Sequence, residues 1–167
     1  FPSSSRDTYL ATTYPAGFAS IKRCVLVLPD GLTTRTTIDP LPLKRTWCLW
    51  EWFSAMSSPM GCDFSIAFTP KAQREFDADI LRDYNKLMHV MLAHVSASES
   101  EAFLESDEAR LKRLIGRCCK NGLDEFESVI RRGLREWLTY EARHALEIAM
   151  EGSVKHNRDF HHGSKNH

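Results

Sequence analysis

Hydrophobic positions along the chain fall into two regimes that meet at Phe68-Thr69-Pro70. Before that break, residues 24–28 (CVLVL) form a short uninterrupted apolar run with two β-branched members, closed by Pro29-Asp30-Gly31. That pattern predicts a strand buried on both faces. A second run, residues 63–68, follows Gly61 and stops at Thr69-Pro70, and the two are predicted as strands of one parallel sheet. Between them, residues 44–57 (KRTWCLWEWFSAMS) are entered through Pro40 and Pro42, which precede rather than interrupt a helix. On that helix Trp47, Trp50, Phe53 and Ser54 share one broad face, with Lys44 and Glu51 at its edge. Strand, helix and strand in this order predict a βαβ unit with a right-handed crossover. The polar loop of residues 30–42 then falls at the carboxyl edge, where open α/β sheets place their ligand crevice.

Past the break the period becomes helical. Thr69 is placed to cap and Pro70 to occupy the first helical position, after which Phe76, Ile80, Tyr84, Leu87, Met88 and Met91 recur three or four apart, as one long helix or two. Residues 96–104 and 106–120 give further amphipathic stretches, the latter stopping at Asn121-Gly122. Residues 123–150 carry Phe126, Ile130, Leu134, Trp137, Leu138, Tyr140, Ala145 and Ile148 on a long helical pattern whose weak point is Gly133. The predicted fold class is therefore α/β: a short parallel sheet with a predominantly helical C-terminal half. Its expected divisions are an α/β unit over residues 1–70, a helical region packed on it over 71–150, and a polar, disordered tail over 151–167.

Charge narrows the range of partners. The 22 Lys and Arg residues balance 22 Asp and Glu, so no whole-protein field draws the chain to nucleic acid or to an anionic membrane. Apolar runs stay well short of the ~18 residues a membrane span needs, and FPSSSRDTYL has neither the basic flank nor the apolar stretch of a signal peptide. A cytoplasmic protein is expected. Five cysteines, two of them adjacent at Cys118 and Cys119, make a poor disulfide framework and fit a reducing compartment. The chain begins with Phe1 rather than Met, which is expected of a processed product or a fragment.

The densest feature is residues 44–52, with three tryptophans in six positions and Glu51 among them. Two readings are open. A carboxylate beside large apolar rings can have its ionisation shifted and act on a cationic or sugar-bearing substrate. Alternatively, the rings fill a core while Glu51 pairs with Lys44 or faces solvent. Cys48 is either a reactive thiol or a small buried hydrophobe. Arg131, Arg132 and Arg135, beside Glu127 and Glu136, read as a salt-bridged helix face in preference to a phosphate site. No metal site is expected: Cys118-Cys119 with His156 and His161 lack a Cys-x-x-Cys, and His89 and His94 stand about 140° apart on a helix.

Trp47-Cys48-Leu49-x-Glu51, after a buried strand and a polar loop, resembles the segment of TIR domains in which a Trp-Cys-x-x-Glu helix carries the glutamate of the NAD-cleaving members. Residues 42–51 (PLKRTWCLWE), followed by the strand at 63–68 and by Leu134-Arg135-Glu136-Trp137-Leu138, are more closely similar to the TIR-like domains ahead of tetratricopeptide arrays in algal and protist kinesin-light-chain-like proteins. The likeness extends from about Phe18 to Leu138. The strand and loop that open a TIR domain have no counterpart before Phe18, as expected of an N-terminally truncated member. The resemblance implies a TIR-like or flavodoxin-like sheet and makes Glu51 the candidate catalytic residue, steadying positive charge as the bond to nicotinamide breaks. Arg45, Trp47 and Trp50 of the same motif are the candidate binding residues. It implies no cofactor, with NAD as the candidate substrate.

Two functions of different class follow as expectations. One is a non-catalytic TIR-like signalling or scaffold module that binds protein partners or itself. The other is an NAD glycohydrolase using Glu51. Either way the aromatic helix is expected to be the core, with Trp47→Ala among the worst single changes.

Overall fold

The computed structural model describes residues 5–21, 23–28, 41–57 and 62–163, the last eleven of them by their backbone path. The turn expected at 29–31, most of the polar loop and Gly61 lie outside the described residues. Two strands, β1 (Arg23–Val27) and β2 (Asp63–Ala67), pair in parallel with Cys24 opposite Phe64 and Leu26 opposite Ile66. Around them stand α1 (Ser5–Thr8), α2 (Tyr14–Ser20), α3 (Thr46–Met56), α4 (Pro70–Ala93), α5 (Glu105–Cys118) and α6 (Gly122–Gly163). The strand, helix and strand order and the helical second half agree with the expected fold class, in a chain that is mostly helical.

Helix α3 is the centre of the molecule. Trp50 and Trp52 lie two positions apart, about 200° around a helix, and so point in opposite directions. Trp52 stacks on Phe64 of the sheet with ring centroids 4.4 Å apart and planes 9° from parallel. Trp50 lies parallel to Phe126 of α6 at 6.4 Å, and Phe53 fills the space beside it, 4.8 Å from Phe126. Both tryptophans, Leu49 and Ala55 are buried. A helix apolar all round must be enclosed, and α3 is enclosed by the sheet on one side and by α2, α5 and α6 on the others. Trp47, expected among the most sensitive positions, is only partly buried at the margin of this core. Trp50 and Phe53, two of the four positions read as one face, pack together against Phe126, and Trp52 is buried opposite them.

The expectation of a strand buried on both faces is corrected. Along β1 burial alternates: Cys24 and Leu26 turn toward the core, whereas Val25 is 45% and Val27 67% exposed. On the inner face Phe64 of β2 is covered by Trp52 of α3. The apolar run reads as doubly buried because an exposed valine and a buried one look alike in sequence.

Local chemistry explains the other boundaries. Thr69 accepts a hydrogen bond from the Ala72 amide at 3.3 Å, the expected cap of α4. The choice between one helix and two resolves at Asp83, whose backbone leaves helical geometry (φ −157°, ψ 77°) while its carboxylate accepts from the Lys86 amide at 3.0 Å and caps the second half. Residues 96–104, read as amphipathic helix, form turns and an extended connector instead. There the Ser96 hydroxyl accepts from the Glu99 amide and the Ser100 hydroxyl donates to the Ala97 carbonyl, so serine side chains take the bonds a helix needs. Asn121-Gly122 ends the α5 segment as expected, with Gly122 at φ 60° turning the chain into α6. Gly133 lies where α3 and α6 cross, and the end of the Met56 side chain occupies the space a Cβ would take.

The helix α6 runs 42 residues, roughly 60 Å at 1.5 Å per residue. It continues through Gly163, into the polar tail read as disordered. Once its packed first half is nucleated, each further residue adds a hydrogen bond at little extra cost.

Trp50→Ala is expected to destabilise the protein by about 3–5 kcal/mol, the range for emptying a buried aromatic site. Trp47→Ala should cost less than half as much. Urea unfolding of the two variants followed by circular dichroism measures the order, and equal costs would contradict a core centred on Trp50.

Candidate functional site

The candidate residues on α3 separate in space. Glu51 points toward α2, where the Tyr14 hydroxyl donates to its carboxylate Oε1 at 3.0 Å. Tyr14 is held by edge-on contacts with Phe18 (5.4 Å) and Tyr9 (6.4 Å), and Leu10 anchors the same segment in the core. Local geometry sets this up. Pro15 has no amide hydrogen to offer, and the chain before it widens into a π-helical turn, Tyr9–Thr13, closed by the Tyr14 amide on the Tyr9 carbonyl.

Burial first, and then the charge of Glu51, push the Tyr14 phenol well above its ordinary value. The Cys24 thiol on the inner face of β1 is raised by burial, then by Cys62 and Glu51. Cys48, one turn before Glu51, is raised by burial and by the same carboxylate, which outweigh the lowering effect of Arg45. Cys48 is half-buried, and the upward push on its thiol favours the small-hydrophobe alternative over the reactive one. The surroundings of Glu51 are thus a phenol and two neutral thiols. In this arrangement the carboxylate serves as a hydrogen-bond acceptor joining α3 to α2, and a substrate reaching Oε1 would have to displace Tyr14.

Arg45 sits elsewhere. It is exposed in extended conformation ahead of α3, six residues and so about 9 Å along the axis from Glu51. There it lines a cavity of about 530 Å³ with Lys44, His94, Glu99, Glu101 and Phe103. Arg45 pairs with Glu101 in a single parallel bridge: the Glu101 amide donates to the Lys44 carbonyl and the Thr46 amide to the Glu101 carbonyl, both at 2.9 Å. A buried contact between the Thr46 and Ser100 hydroxyls, also 2.9 Å, closes the junction. Trp50 lies in the core and Trp47 at its margin. The motif therefore supplies one residue to the α2 contact, one to the cavity and two to packing.

The Arg131 face is structural, as its sequence predicts. Arg131 pairs with Glu127 at 3.0 Å and also donates to the Val95 carbonyl at 2.6 Å, while Glu127 accepts from the Ala97 amide at 2.7 Å. Together they fasten the connector to α6. Among the described residues no group of three or more His, Cys, Asp or Glu side chains is gathered as a metal site, and no helix is long and apolar enough to cross a membrane.

Tyr14 is the site residue that sequence reasoning missed. Its signal is present in Leu10, Tyr14 and Phe18, four apart, but Pro15 within that stretch argues against a helix. The connector residues of the cavity were hidden by the same local hydrogen bonding that makes 96–104 read as amphipathic. Compared with protein-family models, curated proteins and solved structures, the chain matches none.

The raised thiols and phenol make alkaline pH the sensitive range. Each group is neutral in the folded chain at pH values where it ionises in the unfolded one. The associated stability is complete below the unfolded values, about 8.5 for Cys and 10 for Tyr, and is lost as pH rises through the folded values. Burial pushes Cys119 up to about 11 and contributes to the same slope. Urea midpoints should therefore fall steadily above about pH 9. Tyr14→Phe should cost about 1 kcal/mol at pH 7, where a hydrogen bond is lost, and should flatten the part of the slope above pH 10. An unchanged slope would show that Tyr14 does not carry it.

Proposed function

We propose that the chain is a non-catalytic TIR-like signalling or scaffold module that acts through protein–protein contacts. The observation that carries this reading is the outer face of the β1–β2 sheet, which among the described residues is left with Val25 and Val27 in solvent. Parallel sheets otherwise occur almost only with both faces covered, so an open one is a surface in want of a partner. The short sheet with α3 against it is what a partial TIR-like or flavodoxin-like unit would supply, and the Trp47-to-Glu51 motif is the basis of that family assignment. Five free thiols favour a reducing, cytoplasmic setting.

The engagement of Glu51 by Tyr14 and its distance along α3 from Arg45 weigh against the second reading, NAD cleavage at Glu51. Catalysis at that carboxylate needs access to the developing charge and convergent groups around it. The purified chain incubated with NAD is expected to release no nicotinamide above the buffer rate, and Glu51→Gln should behave identically. Release that disappears in Glu51→Gln would replace the scaffold reading with an NAD glycohydrolase.

A further inference from the structure

Among the described residues two surfaces set large apolar side chains in solvent. The first is the outer face of the sheet, where Arg23, Val25 and Val27 of β1 lie in register with Asp63, Ser65 and Ala67 of β2. Helices are what normally close such a face. The second is a stripe on α6 formed by Tyr140, Arg143, Leu146, Glu147 and Met150, which recur three or four apart and share one side of the helix. Tyr140 is 65%, Leu146 53% and Met150 62% exposed. The stripe faces away from Leu134, Leu138 and Ala145, by which α6 is buried. Over these turns Ala145 is the buried residue, and the stripe sets three large apolar side chains in solvent on the opposite side of the helix.

One copy cannot bring the two surfaces together. The outer face of the sheet points away from α3, the stripe points away from the core on the far side of α3, and α6 is continuous, so it cannot fold back. Charge matches as well. Arg23 and Asp63 are register partners, about 4.8 Å apart as neighbouring strands are. Arg143 and Glu147 are one turn apart, about 5–6 Å between Cβ atoms. None of these four has an ion-pair partner among the described residues, and Glu147 over Arg23 with Arg143 over Asp63 would satisfy all of them.

From this we infer that the partner is a second copy of the chain, the α6 stripe of each copy lying across the outer sheet face of the other about a two-fold axis. The inference rests on the interaction-module reading and names its partner. Stable interfaces bury on the order of 1,200–2,000 Å² in total, and in this exchange the contact of stripe on sheet occurs twice. A two-fold dimer forms every contact twice.

Sedimentation equilibrium of the full chain should give twice the 19.1 kDa monomer mass. Val27→Glu and Leu146→Glu should each give monomers with unchanged circular dichroism, since both side chains are exposed. Mixed in equal amounts, the two variants should dimerise again, more weakly, because the intact stripe of one meets the intact sheet of the other. Arg23→Glu should weaken the dimer, and Arg23→Glu with Glu147→Arg should restore it. A monomeric wild type, a dimer that survives Val27→Glu, or a mixture that stays monomeric would each overturn the exchange. Nicotinamide release is a separate readout, so this inference and the non-catalytic reading fail independently.

Discussion

The opposition of Trp50 and Trp52 on α3 is the constraint on which the rest of the structure depends. Two large rings about 200° apart cannot share one interface, so the helix that carries them must separate two layers. Trp52 commits one side to Phe64 and the sheet, while Trp50 and Phe53 commit another to Phe126 and α6. The positions of β1, β2 and α6 follow from this. A second aromatic junction, in which Phe76 lies between Phe68 at 4.7 Å and Trp137 at 5.3 Å, ties the end of β2 to α4 and α6.

Polar groups then fix what the apolar contacts leave free to slide. The connector between α4 and α5 buries Val95 and Ala97 in the core, and three sets of bonds fix it there: Thr46 to Ser100, Glu127 to the Ala97 amide and Arg131 to the Val95 carbonyl. Directional bonds of this kind contribute modestly to net stability but heavily to register, because leaving a buried donor or acceptor unpaired is costly. The cavity beside Arg45 is a consequence of that pinned connector. On the opposite side of α3, the bond from Tyr14 to Glu51 does the corresponding work for the N-terminal helices. The Glu51 carboxylate is here a tie between two helices.

Much of the architecture was legible because it rests on local signals. Thr69-Pro70 starts a helix by capping chemistry, and Gly122 turns the chain where positive φ is required. The apolar runs at 24–28 and 63–68 mark β1 and β2, with boundaries displaced by one residue. Arg131 and Glu127, one turn apart, declare their own pairing. The candidate site was legible only as a motif. Residues 44–52 are adjacent in sequence and diverge in space, because successive helical positions point 100° apart. Tyr14 and Glu51 are 37 positions apart and meet.

The sequence by itself determined β1, β2, α3, α4, α5 and the first part of α6, that the strands run parallel, and that the aromatic helix lies at the core, since period, caps and turn residues act over a few positions. Tertiary structure alone decided which tryptophans are buried, which face of the sheet is open, and what the Glu51 carboxylate touches. Those outcomes depend on what lies opposite each side chain. A valine on the open face and one in the core have the same identity in the chain, and only the arrangement of distant segments distinguishes them.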